Sequence, residues 1–221
     1  MTTDSDLPLE VVREAELALL KLMIREACHK FNNRISEIET QVVLAESEIL
    51  EPESLRRRHL SARESLRDLT ADVRVLHDQA RGATDAVDHF SLLDLRLSIM
   101  PYLQTASLQR SPWRVVGGES WKTIAAGDTR AWQRSFLMLA ESFSQSVFEG
   151  AASPRLRCDD RDGFGVVIKM EGCIDRDLCE KSALFRLGRQ TAEELGLICQ
   201  LIALDSDDEC CLSLELQGTS A

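Results

Sequence analysis

An imidazole and a carboxamide one helical turn apart, His29 and Asn33, are the best-placed residues in this chain for chemistry. They lie in Cys28-His29-Lys30-Phe31-Asn32-Asn33-Arg34-Ile35, inside a longer patterned run. The apolar residues of that run, Leu17, Ile24, Cys28, Phe31, Ile35, Ile38, Val42, Ala45 and Ile49, step mostly by alternating fours and threes. This is the period of a coiled-coil or bundle seam. With Cys28 at an a position and Phe31 at a d position, His29 falls at b and Asn33 at f, on a mostly solvated face. A nitrogen nucleophile held toward solvent on a rigid bundle, with an amide one turn along, suits reversible protein phosphorylation. The plain alternative is an exposed histidine with no task.

The elements that must position these groups can be read from the same pattern. The first helix is predicted from Leu9 to about Leu50, roughly 60 Å long at 1.5 Å per residue. Glu51-Pro52-Glu53-Ser54 breaks it, because proline cannot continue a helix but fits the first turn of the next. The second helix is predicted from Pro52 to Arg81, with the seam Leu55, His59, Ala62, Leu66, Leu69, Val73, Leu76 and Ala80. So short a connection makes the two helices antiparallel neighbours. A lone hairpin leaves apolar stripe uncovered, so the pattern predicts dimerisation into a four-helix bundle.

Gly82-Ala83-Thr84-Asp85 reads as a hinge, dividing the chain into residues 1–84 and 85–221. The second part is predicted to be an α/β layer. It holds a helix over Ser91–Leu108 containing Pro101, a short strand over Trp113–Val116, and a helix capped by Asp128 or Thr129 that reaches about Glu149. Strands over 155–160 and 165–171 flank a turn at Arg161-Asp162-Gly163-Phe164. A helix is predicted from Thr191 to Leu204, and a last strand alternates Cys210, Leu212, Leu214 and Leu216. The fold class is α+β.

His29-Lys30-Phe31-Asn32-Asn33 resembles the His-Asp-Phe-Asn-Asn phosphoacceptor box of one class of bacterial sensor histidine kinases. In that family the histidine helix turns back into a second helix, two hairpins form a four-helix bundle, and an ATP-binding α/β domain follows. The same order spans nearly this whole chain, but the nucleotide motifs do not. Met138 and Ser142 fall where the family carries two asparagines. Met170-Glu171-Gly172-Cys173 stands in place of Asp-x-Gly-x-Gly. Glu193-Glu194-Leu195-Gly196-Leu197-Ile198 stands where a glycine-rich loop would cradle phosphates before a helix. Lys30 replaces the acidic residue that follows the histidine and is thought to serve as general base.

The chain is therefore similar to the two-domain bacterial histidine phosphotransferases, whose second domain looks like a degenerate ATP-binding domain. The resemblance implies that His29 carries a phosphoryl group between aspartates of receiver domains. Asn33 matches a position used to orient water in dephosphorylating a partner. Arg25 and Lys30 would border the docking surface. ATP is not expected, and magnesium would come with the receiver. Two rivals stand beside this reading: a non-catalytic dimeric docking or inhibitor module, and a divergent ATP-dependent kinase.

Composition narrows the remaining classes. In 221 residues, 44% hydrophobic and 29% charged, no run is apolar enough to cross a bilayer, and the polar N-terminus is no signal peptide. A net charge of −11 repels a phosphate backbone, which argues against nucleic acid. Seven cysteines without CxxC spacing indicate reduced thiols in the cytoplasm, Cys28 among those expected in the core. Arg56, Arg57 and Arg58 read as a solvated run near the hairpin turn. His59 is expected to pack on or beside the seam, His77 to be solvated, and His89 to cap or pack at a junction. Asp159-Asp160-Arg161-Asp162-Gly163 reads as a turn, and no Cys/His pair has zinc spacing.

Overall fold

The computed structural model describes residues 7–47, 52–81, 89–106, 113–160, 165–204 and 209–217. The fold is α+β, a helical hairpin followed by a mixed sheet with helices on one face. It divides into two compact units, one of residues 23–85 and the other of residues 1–22 together with 86–221.

In the hairpin unit, α1 (Leu9–Ser47) and α2 (Pro52–Arg81) follow the expected spans, with Pro52 opening α2. The positions expected at residues 48–51 and at the 82–85 hinge lie outside the described residues. Arg34 ties the helices together, its Nη2 lying 3.1 Å from Asp68 Oδ2 on α2. Much of the seam stays open: Ile24, Cys28, Ile35 and Val42 on α1, and Leu55, His59, Leu66 and Val73 on α2, are exposed. Cys28, expected in the core, is therefore a surface thiol of the single chain, on a side of α1 left uncovered.

The α/β unit begins with the first turns of α1, whose Ala15, Leu19 and Leu22 are buried. An ion pair of 2.7 Å joins Glu16 to Arg134 of α4. β1 (His89–Ser91) pairs with β3 (Ile124–Ala126) in a two-stranded antiparallel sheet. Between them lie α3 (Leu92–Ala106), β2 (Arg114–Val116) and a 3₁₀ turn at Glu119–Lys122. α4 (Thr129–Gln145) starts at Asp128, whose carboxylate accepts from Arg130 N at 2.9 Å. β4 (Arg155–Asp160), β5 (Gly165–Cys173), β6 (Ile198–Ala203) and β7 (Glu209–Gln217) join β2 in a five-stranded sheet of order β2-β4-β5-β7-β6. β2 runs parallel to β4, and the other pairs are antiparallel.

Strand alternation decides which sheet face is buried. Leu156, Ile168, Met170, Leu212 and Leu214 point into the core. On the same face, a Cβ at Gly172 would come 3.3 Å from the Phe143 ring of α4. The other face carries Arg157, Asp159 and Lys169. Burial opposes ionisation of Asp159, but hydrogen bonds from Lys169 and Arg157 outweigh it and hold that carboxyl below its ordinary range.

Two expectations are corrected. The helix read over Thr191–Leu204 is the end of α6 (Ala183–Glu194) followed by β6. α6 stops because Gly196 adopts φ +78° while Gly196 N bonds to Glu193 O and Leu197 N to Ala192 O, both at 3.0 Å. This is a Schellman ending, and buried Leu197 and Ala192 supply its usual apolar contact. His89, expected to cap or pack, is an exposed residue of β1, paired with Ala126. The short α5 (Arg176–Lys181) is an element that the sequence pattern does not mark.

Candidate functional site

α1 supplies every residue of the candidate site, so helix geometry alone sets their spacing. Arg25, His29 and Asn33 form an i, i+4 row, and all three are exposed. His29 and Asn33 are in contact, the amide Nδ2 lying 3.2 Å from the ring Nε2. Lys30 lies on an adjacent face, its Nζ 3.7 Å from Glu26 Oε1. Glu26 is buried, an unusual place for a carboxylate unless it is paired. Sequence reasoning missed Glu26 as a neighbour of the site, although the Glu-to-Lys i, i+4 spacing was there to find it.

Near the hairpin tip, Val42, Ala45, Leu55, His59 and Ala62 line a cleft of about 470 Å³ together with Gln41, Arg56 and Arg58. Most of its apolar residues are seam positions. His59 is exposed within it, and the side chain of His77 lies outside the described residues. Among the described residues no cluster of three or more His, Cys, Asp or Glu could hold a metal ion. No described helix is long and apolar enough to cross a membrane.

In the α/β unit, the positions that depart from the kinase-like pattern are occupied by packing and turn residues. Met138 and Ser142 of α4 are fully buried. Ser142 Oγ donates to the Cys179 carbonyl at 3.4 Å, and Ser135 Oγ donates to Gly188 O at 2.8 Å. At Gly188 a Cβ would come 3.0 Å from Leu139 Cγ and 3.1 Å from Met138 Cβ, so α4 and α6 meet almost backbone to side chain. Met170 to Cys173 complete β5. Only Ile174 and Asp175 separate β5 from α5, and the Asp175 carboxylate caps α5 by accepting from Leu178 N at 2.9 Å. Residues 193–198 form the turn from α6 into β6, so the expected loop before a helix is a helix end before a strand.

No disulfide joins any of the seven cysteines. Burial pushes Cys158 and Cys199 up to about 12, and Cys179 and Cys211 up to about 11. These groups are poor nucleophiles at neutral pH.

No family model matches the chain, and no curated protein matches it. Solved structures do. The chain is similar to the histidine kinase AdeS of Acinetobacter baumannii, at 12% identity over 87% of this chain and 98% of that one, with a TM-score of 0.47. It is similar to a bacterial phosphotransferase at 15% identity over 90% and 96%, with a TM-score of 0.43. It is also similar to the catalytic domain of histidine kinase ThkA, at 11% identity over 61% and 96%, with a TM-score of 0.47. Identities this low and TM-scores under 0.5 assign no activity to this chain.

Proposed function

We propose that this chain is a histidine phosphotransfer protein of a bacterial two-component phosphorelay, with His29 carrying the phosphoryl group between receiver-domain aspartates. The observation that carries the reading is the pairing of two facts. An exposed imidazole stands on the hairpin helix within the box His29-Lys30-Phe31-Asn32-Asn33, and Met138 and Ser142 are sealed in the core where a kinase would meet its nucleotide. The chain then receives its phosphate from a protein, without ATP.

In the forward step a ring nitrogen of His29 donates its lone pair to the phosphorus of an aspartyl phosphate. The phosphorus–oxygen bond breaks, and its electron pair stays with the receiver's carboxylate. Reversal onto a second receiver completes the relay. Positioning is the protein's contribution. Arg25 and Lys30 border the face that an acidic receiver site would approach, and magnesium comes with the receiver. The open seam is closed by a second copy, giving a four-helix bundle, and the protein works in the cytoplasm with its receivers.

A second reading, a docking or inhibitor module that carries no phosphate, is favoured by Lys30 in the place of the family's acidic residue. Incubation with phosphorylated receivers separates the two, with His29→Ala and an ATP-only sample alongside. Label on the wild type alone, with the ATP sample blank, is the expected result. Docking without label on the wild type would give the second reading the field.

A further inference from the structure

Asn33 holds more than a place in the box. Its Nδ2 lies 3.2 Å from His29 Nε2. A carboxamide nitrogen has only N–H bonds to offer, so Nε2 must accept, and an accepting ring nitrogen carries the lone pair. The ring proton then resides on Nδ1. Both residues lie on a continuous helix, which fixes the i, i+4 approach without help from a neighbouring element. Lys30, next in sequence, offers only donors, and it lies beside the buried Glu26.

We propose that Asn33 is a positioning residue that favours the Nδ1–H tautomer of His29 about twofold, so that in those molecules Nε2 presents its lone pair with no base needed to clear a proton from it. Combined with the phosphotransfer reading, on which only the rate consequence rests, this keeps more of the rings ready to attack in an acceptor that has lysine where an acidic residue is expected. Attack from Nε2 forms the nitrogen–phosphorus bond, and Nδ1 keeps its hydrogen throughout the step. The amide must swing aside as the phosphoryl group arrives. An exposed bond of this kind breaks easily, because pairs at this spacing shift an equilibrium only about twofold.

The test is a two-bond proton–nitrogen NMR spectrum of protein labelled with ¹⁵N-histidine, at about pH 8.5, above the ordinary histidine range. His29→Ala identifies the His29 signals. The wild type is expected to show both tautomers, with about twice the ratio of Nδ1–H to Nε2–H that Asn33→Ala shows. Asn33→Ala should move the ratio about twofold toward Nε2–H. Asn33→Asp, whose carboxylate can only accept from the ring, should move it further, and Asn33→Gln, which keeps the donor, should restore it. An unchanged urea unfolding curve establishes that each variant is folded. A ratio unmoved in both Asn33→Ala and Asn33→Asp would overturn the proposal. The spectrum needs no partner, so a chain with the expected tautomer that accepts no phosphoryl group refutes the phosphotransfer reading alone.

Discussion

Ile35→Asp puts the proposed dimer to a quantitative test. Ile35 is 45% exposed and Leu66 is 50% exposed in the single chain, both on the expected seam. Fully burying a side chain of this class contributes about 1.5–3 kcal/mol, so covering the exposed half contributes about 1 kcal/mol per copy. A two-fold interface uses each residue twice, so loss of the Ile35 contact removes about 2 kcal/mol. That alone raises the dimer Kd about thirtyfold. Aspartate adds the cost of enclosing carboxylates in an apolar seam, so the measured change should exceed this figure. Sedimentation velocity over a wide concentration range reads the result. The wild type should reach twice 24.8 kDa, whereas Ile35→Asp should stay at the single-chain mass over most of the range. Thr40→Asp, on an exposed position off the seam, should behave as wild type. A wild type sedimenting at 24.8 kDa throughout, or an Ile35→Asp variant that associates as tightly as wild type, refutes the reasoning.

Gly188→Ala should lower stability by about 1 kcal/mol in urea unfolding. Overpacking against Leu139 and Met138, at 3.0 and 3.1 Å, costs about 1–3 kcal/mol, and alanine's helix preference returns up to about 1 kcal/mol. Equal or greater stability would mean that α4 and α6 can separate more readily than their packing indicates. In the Ile35→Asp variant, which stays a single chain, a thiol reagent near neutral pH should label exposed Cys28 first, with Cys158, Cys179, Cys199 and Cys211 protected until the unit unfolds. Because those four thiols are raised in the folded state, their contribution is complete below the unfolded value near 9 and is lost as pH climbs toward about 11–12. Thermal melts should therefore fall over that window, and a flat profile would contradict the burial of the thiols.

The hairpin was legible because a four-three repeat sustained over many turns admits one interpretation, and proline marks its corner at Pro52. Asp128 was legible as a cap, and β4, β5 and β7 as strands, because capping and alternation are local properties. The fate of Leu197–Leu204 was not. An apolar run of that length suits either state, and the choice turned on Gly196 reaching a positive φ and on β7 offering a partner ladder. β1 and β3 have three residues each, too few to carry a period. α1 is apolar on two sides, and the long seam drew attention from Ala15, Leu19 and Leu22. The contact between His29 and Asn33 follows from helix geometry once the helix is known. The nearness of Glu26 to Lys30 follows in the same way, but the burial of Glu26 does not, since a charged residue type argues against it.

The burial of Ala15, Leu19 and Leu22 makes the α/β unit discontinuous in sequence, with residues 23–85 inserted between its parts. During synthesis those first turns emerge long before the sheet they belong with, so the unit closes a long excursion of chain and completes late. Gene fragments reflect the same arrangement. A piece beginning at residue 86 would lack its own first helix turns, and a piece ending at residue 85 would carry their apolar side into water. The two halves of this protein are therefore poor interchangeable parts, and a fusion that borrows only the sheet must bring residues 9–22 along with it.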